Sequence, residues 1–307
     1  MPELPDVTLY VEALEARCAG RNLERIRIVS PTLLRSVEPT PTDVAGLRVH
    51  GVRRLGKRIV FALERDFFAV VHLMIAGRFH WRPRNFVLGR KQGLASFDFE
   101  TGSLLLTETS SRKRASLHLV RGEAELAQHD PGGLEVLEAS GELFATRLLS
   151  ANHTLKRALT DPRLFSGIGN AYSDEILHRA KLSPVKLTRR LDSEEIDRLY
   201  AAVRETLIEW TQRLRDETGD RFPEHVTAFR EGMAVHGRHR KPCPDCGSPV
   251  QRIVYARNET NYCARCQTGG RLLADRALSQ LLKKDWPRSL DELEARLAGD
   301  GAPIRKR

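Results

Sequence analysis

The chain has no apolar run approaching the ~20 residues that a helical bilayer span needs, and no secretory apolar segment follows Met1. No membrane role is expected, and a cytoplasmic protein is. Cysteine is scarce as well: of five, four lie together near the C-terminal end and Cys18 stands alone. That is not the disulfide framework of a small secreted domain, and Cys18 is expected to pack as a small apolar residue on a helix. Internal repeats and low-complexity tracts are also missing.

What is present is a chain of 307 residues, long enough for two domains and a small appendage, each with a core of its own. Fifty Lys and Arg against forty Asp and Glu leave a net charge of +10. A surplus of that size points to a polyanionic partner, nucleic acid before acidic membrane. A generically basic protein from an Arg-rich proteome is the alternative that charge alone leaves open.

Leu4, Val7, Val11, Leu14 and Cys18 alternate steps of three and four, which predicts a helix over about 4–19. Pro5 suits its first turn, Asp6 complements its positive end and Gly20 stops it. From Leu23 to about Val120 the texture is β, with short β-branched segments at 26–29, 58–63 and 68–73. A hairpin turn at Glu100-Thr101-Gly102 joins two more. One leading helix and many strands predict a sandwich or barrel. After the loop-forming stretch 129–133 the texture becomes helical, most clearly over Ser193–Thr218, with Ser193 the expected N-cap. Residues 219–240 read as a mobile loop, and Ser289-Leu290-Asp291-Glu292 has capping-box spacing before a short helix. The expected fold is thus α+β and multidomain: residues 1–130 a β-sandwich, 131–235 helical, 236–270 a cysteine ribbon, 271–307 a helical extension.

Cys243-x-x-Cys246 and Cys263-x-x-Cys266, sixteen residues apart, form two knuckles that together offer four thiolates to one structural Zn2+, with redox dithiols the alternative. Four protein ligands leave no open position for catalysis, so the metal orders a small hairpin. Gly167-Ile168-Gly169-Asn170 lies between two helical stretches, 154–160 and 173–180. Such a turn either simply connects the helices or lets backbone N–H groups approach a phosphate, and Lys156 and Arg157 favour the second reading. Gly56-Lys57-Arg58 and Arg112-Lys113-Arg114 are solvated turns or phosphate contacts. His72 is expected to be a hydrogen-bonded strand histidine.

The opening Met1-Pro2-Glu3-Leu4-Pro5-Asp6 is the most specific feature. Removal of Met1 would expose Pro2 as a secondary amine beside the Glu3 carboxyl. An α-amine, with a pKa of ~7.7–8.0, is partly unprotonated near neutrality, and a secondary amine attacking an electrophilic carbon yields a charged iminium. The plain alternative is a proline that only stiffens a terminus.

In their order and spacing, Pro-Glu-Leu-Pro, Gly56-Lys57, His72-Leu73, Gly167-Ile168-Gly169-Asn170, Val235-His236-Gly237-Arg238 and the four-cysteine ribbon ending at Gln267 resemble the bacterial formamidopyrimidine-DNA glycosylase and endonuclease VIII family, the first branch more than the second. The resemblance runs from Met1 to about Gln267. It implies a helix–two-turn–helix DNA-binding domain and a base-excision repair enzyme, a bifunctional glycosylase and AP lyase. Such an enzyme acts as a monomer on damaged double-stranded DNA in the nucleoid. By the same resemblance Pro2 is the nucleophile at the sugar C1′, Glu3 the acid and Lys57 a catalytic contact to the lesion phosphate. Lys156 and Asn170 grip the backbone, and Arg112 and Arg114 supply cations where the family carries an Arg-Phe wedge. Several positions depart from the pattern: Ile75 stands where a methionine is usual, and the stretch 110–115 has no aromatic ring. Asp6 replaces a common glutamate, and the ribbon position that carries an arginine in the family is Asn258 here, with Arg257 one residue earlier as its stand-in. The tail beyond Leu272 exceeds the family's usual end. A non-catalytic damage-binding protein of the same fold, or a basic zinc-ribbon protein of translation, are the rival readings.

Overall fold

The computed structural model describes residues 1–307 apart from 90, 92, 225, 228, 256–257, 275–286 and 300–307. The chain divides into two compact units, Met1–Gly133 with Leu207–Ala228, and Leu134–Thr206 with Phe229–Arg307.

The first unit opens with α1 (Leu4–Cys18), as the spacing predicts. Two four-stranded antiparallel sheets follow. One has the order β1 (Leu23–Ile28), β6 (Gly93–Phe99), β7 (Gly102–Glu108), β5 (Gly77–Arg82). The other runs β2 (Val49–Leu55), β3 (Arg58–Leu63), β4 (Phe67–His72), β8 (Ser116–Arg121). Their inner faces share a single core, into which α1 inserts Val7, Tyr10, Leu14 and Cys18 beside Phe61, Phe79, Phe97 and Leu106. Each fully buried large apolar side chain contributes about 1.5–3 kcal/mol, so this seam holds the chain's first residues against the sandwich. The Phe61 and Phe97 rings stack at 5.8 Å, and the Tyr10 hydroxyl accepts from the Phe79 N–H at 3.3 Å. Cys18 is fully buried in this core. A short helix α2 (Glu123–Ala127) covers part of the other face of the second sheet with Leu126.

Asp98 fastens the first sheet. Its buried carboxylate accepts from Arg27 Nε at 2.6 Å, Arg25 Nε at 2.9 Å, and the Ser96 and Ser103 hydroxyls at 2.7 Å each. Burial alone would raise this carboxyl's pKa, yet the two arginines and two hydroxyls outweigh it and hold it far below the usual value.

The second unit contains α3 (Gly141–Leu149), α4 (Leu155–Thr160) and α5 (Asn170–Arg179). Helix α6 (Ser193–Thr218) belongs to this unit as far as Thr206 and to the first from Leu207 on. Its N-cap is Asp192 and not Ser193: Asp192 Oδ1 accepts the Glu195 N–H at 2.8 Å, while Glu195 Oε2 accepts the Asp192 N–H at 3.2 Å. That reciprocal pair satisfies two donors at once. Leu199, Val203, Leu207, Trp210 and Leu214 are buried along α6, and Ile196 only partly. The hairpin β9 (Gln251–Tyr255) and β10 (Asn258–Tyr262), then α7 (Ala264–Thr268), build the cysteine ribbon. A further helix, Leu290–Gly299, starts after Ser289, whose Oγ accepts the Glu292 N–H at 3.2 Å, while the Glu292 carboxylate accepts the Arg288 N–H at 2.8 Å, so only the Ser289 half of the expected capping box forms.

Candidate active site, phosphate turn and metal centre

Pro2 and Glu3 are buried at the head of α1. Glu3 is the N-cap residue and shares a capping box with Asp6, whose Oδ2 accepts the Glu3 N–H at 2.9 Å. The terminus is therefore fixed from its third residue onward. Burial pushes the pKa of the Met1 α-amine, one residue ahead of Pro2, below its usual value. Glu3 and Asp6 oppose that shift, and Arg78 and Lys57 reinforce it. Glu3, Asp6, Arg78 and Lys57 thus all act electrostatically on the Met1 amine, next to Pro2, and motif spacing did not mark Arg78.

Lys57 lies in a two-residue turn, Gly56-Lys57, that joins β2 and β3 and is closed by the Leu55–Arg58 pair. Gly56 has φ +61° while Lys57 stays at negative φ, the pattern of a type II′ hairpin, which needs glycine first. One strand away, His72 pairs with Arg58. The sequence predicts a hydrogen-bonded histidine, but its buried Nε2 finds no partner among the described residues. Burial, with help from Arg58, Lys57 and His118, lowers its pKa to about 4, so the ring is neutral at pH 7.

The turn after His72 presents Ile75, which is 58% exposed. A side chain on Gly77 would lie 2.3 Å from the Leu73 carbonyl oxygen, and Gly77 N–H donates to that same oxygen at 2.9 Å. The Arg78 guanidinium holds the turn from behind through the Gly77 and Ile75 carbonyls at 2.6 and 3.2 Å. The basic loop 109–115 is organised by buried Glu108. Its Oε2 accepts the Arg114 and Ala115 N–H groups at 2.8 and 3.1 Å, and the Lys113 ammonium donates to its backbone carbonyl. Arg112 and Arg114 are left exposed.

The predicted loop after α6 is free of helix and strand among its described residues, but its first part is anchored. Phe222 and Val226 join the sandwich core. Glu224 bridges Arg82 (Oε1 to Nη1, 2.7 Å) and His80 (Oε2 to Nδ1, 2.5 Å), and His80 Nε2 meets the Thr107 hydroxyl at 3.0 Å. Burial by itself would raise the Glu224 carboxyl, but Arg82 and His80 hold it below its usual value.

In the second unit, Gly167 (φ +79°) turns the chain and extended Gly169 caps α5, making Asn170 the first helical residue. The helix therefore begins three residues before the stretch read from sequence. Lys156 Nζ donates to the Asn170 carbonyl at 2.6 Å and to Asp174 Oδ1 at 2.5 Å. Lys156 and Asn170 are thus brought together, with the ammonium pinning the turn from inside α5. Asp174 Oδ2 also meets His236 Nδ1 at 2.8 Å and accepts the Asn261 N–H at 3.2 Å. The neighbouring Glu175 accepts the N–H groups of Ala234, Val235 and His236 at 2.6–3.0 Å. Arg257 lies outside the described residues.

The four cysteine sulfurs lie within 4.8 Å of one another, with Cys243–Cys266 at 3.9 Å and Cys246–Cys263 at 3.4 Å. Zn–S bonds of about 2.3 Å at tetrahedral angles need sulfurs about 3.8 Å apart, so this donor set fits one zinc ion. Gly247 (φ +74°) closes the first knuckle.

Three family models match successive parts of the chain. The formamidopyrimidine-DNA glycosylase N-terminal domain matches residues 1–131, its H2TH domain residues 134–218, and the zinc finger found in FPG and IleRS residues 240–269. The formamidopyrimidine-DNA glycosylases of Heliobacterium modesticaldum and Thermus thermophilus are each 34% identical to this chain, over 87% and 88% of it and all of their own length. A solved complex of the Lactococcus lactis protein with DNA containing an abasic site superposes with a TM-score of 0.77 at 25% identity, covering 87% of this chain and 99% of that one. The same bacterium's protein with DNA containing an oxidised pyrimidine gives 0.75, also at 25% identity, over 87% of this chain and all of that one. No helix among the described residues is long and apolar enough to cross a membrane.

Proposed function

The chain belongs to the formamidopyrimidine-DNA glycosylase family, and from that membership we propose that it excises a damaged base from duplex DNA and then cuts the strand with its own N-terminal nitrogen. Once Met1 is removed, the Pro2 nitrogen is a secondary amine in a buried setting that favours its neutral, nucleophilic form. It attacks C1′ of the flipped-out nucleotide while the bond to the base breaks, and the departing base takes a proton. Glu3 is placed to supply protons as the sugar ring opens. The resulting iminium withdraws electrons from the sugar, so loss of a C2′ proton expels the 3′ phosphate. A second elimination expels the 5′ phosphate, and water then releases the amine. Lys57 and Arg78 provide positive charge for the phosphate at this centre.

In the second unit, Asn170 and the N–H groups at the head of α5 form the phosphate turn. Arg112 and Arg114 are the exposed cations of the loop 109–115, and Ile75 is the apolar side chain beside the lesion. With no aromatic ring in that loop, the hole left by the flipped base is filled less completely. Catalytic groups and metal ligands alike come from one chain, which supports action as a monomer, and its place of work is the chromosome.

The observation that carries this reading is the burial of Pro2 and Glu3 at the head of α1, beside a terminal amine that feels the charges of Glu3, Arg78 and Lys57. Borohydride reduction in the presence of DNA bearing an abasic site tests it. Met-cleaved protein should be trapped on the DNA through Pro2, and protein with a blocked terminus should not. Trapping of the blocked protein, or none of the cleaved one, overturns the assignment.

A further inference from the structure

Helix α5 does more than begin at the phosphate turn. One residue before its end, His178 is 3% exposed, and its Nε2 lies 3.3 Å from the Cys243 sulfur. Asp245 Oδ2 is 3.7 Å from the same nitrogen and also pairs with the Lys181 ammonium. Just beyond, the Gln267 amide donates to the Leu182 carbonyl at 2.9 Å and accepts the Cys263 N–H at 2.8 Å.

A zinc ion held by four thiolates leaves a centre of net charge −2, and Cys243 and Cys263 are both buried. Buried charge of that kind needs donors pointed at it. The Cys266 N–H supplies one, to Cys263 at 3.4 Å. A zinc-bound thiolate has no proton to give, so a contact of 3.3 Å requires the proton to sit on His178 Nε2. The sequence gives no hint of this, because a histidine on a helix 65 residues from Cys243 carries no metal-motif spacing.

We propose that His178 is a positioning residue of the metal centre: its Nε2–H hydrogen-bonds the Cys243 thiolate and fastens the zinc ribbon to the helix that opens at the phosphate turn. With Asp174 and Glu175 holding the 234–236 segment from the same helix, α5 becomes the common mount for turn and ribbon. Partners of this kind orient the ligand and tune its donor strength.

The test uses the full chain reconstituted with Co2+ or Zn2+. His178→Phe keeps an apolar ring without the donor, and His178→Gln restores an N–H at similar reach. All three proteins should show the visible spectrum of a four-sulfur cobalt site. The sulfur-to-metal band should move to lower energy in His178→Phe and return in His178→Gln. Zinc affinity, measured by competition with a chromophoric chelator, should fall about 10–100-fold in His178→Phe and recover in His178→Gln. An unmoved band with unchanged affinity overturns the proposal. So does a wild-type spectrum of three sulfurs and one nitrogen, which would make His178 a ligand. If His178→Phe does not fold, imidazole nitrogen NMR of the wild-type zinc protein decides: protonated Nε2 supports the bond, and bare Nε2 overturns it.

Discussion

Replacing Lys156 with methionine separates two roles that sequence cannot tell apart. As a phosphate contact only, the ammonium would be dispensable for folding. Its loss would lower the slope of log K against log salt by about 0.9 and leave stability unchanged. In the structure it is 13% exposed and faces Asp174, whose side chain is fully buried, at 2.5 Å. Removing one partner of such a pair strands the other charge and costs about 3–5 kcal/mol. Two further contacts to Asp174, from His236 and Asn261, place the loss toward the lower end, about 3 kcal/mol. That is roughly a 150-fold change in an opening equilibrium, at 1.4 kcal/mol per tenfold. Because the chain has two compact units, hydrogen exchange of the α5 peptide, residues 170–179, is a sharper readout than global unfolding. Exchange there should accelerate by about two orders of magnitude in Lys156→Met, and Asp174→Asn in the same protein should recover part of it. Protection within threefold of wild type would refute the argument and return Lys156 to phosphate alone.

Glu224→Gln removes the charge that ties the segment after α6 to Arg82 and His80, so trypsin cleavage at Arg221 should quicken. The folded pKa of Glu224 is depressed, so its contribution is present above the ordinary glutamate value of ~4.3 and is lost as pH falls through the folded value. Cleavage of the wild type should therefore approach that of the variant only under acid conditions, and equal rates at pH 7 would sink the clamp. Gly77→Ala forces a carbon toward the Leu73 carbonyl and should cost about 1–3 kcal/mol, seen as a lower urea midpoint with unchanged slope. An unchanged midpoint would show that the turn carrying Ile75 yields freely.

Several elements could be read directly from residue order because their signals are local. The apolar steps of α1, the paired knuckles of the ribbon and the Ser289 N-cap each concern neighbours in sequence. Strands β2 and β5 escaped notice because His50, Arg53 and Arg54, and Arg78, His80 and Arg82, interrupt their apolar pattern. Several carboxylates escaped for a different reason: buried Asp98, Asp174 and Glu175 and half-buried Glu224 look like ordinary surface charges. Their partners are distant, with Arg27 71 residues from Asp98 and His80 144 residues from Glu224. Only the folded chain reveals that these acids hold together the parts around the motifs. Asp192 displaced Ser193 as a cap because a reciprocal partner, Glu195, sits three residues downstream.

With Pro2 as the proposed nucleophile, its enclosed position would tie reactivity to what precedes it in the chain. Joining even one residue ahead of this proline turns its nitrogen into an amide, whose electrons are delocalised and unavailable for attack. On that proposal, recombinant versions would need affinity handles at the opposite end, or a protease that leaves no scar. Removal of Met1 would then be the step that creates the reactive nitrogen.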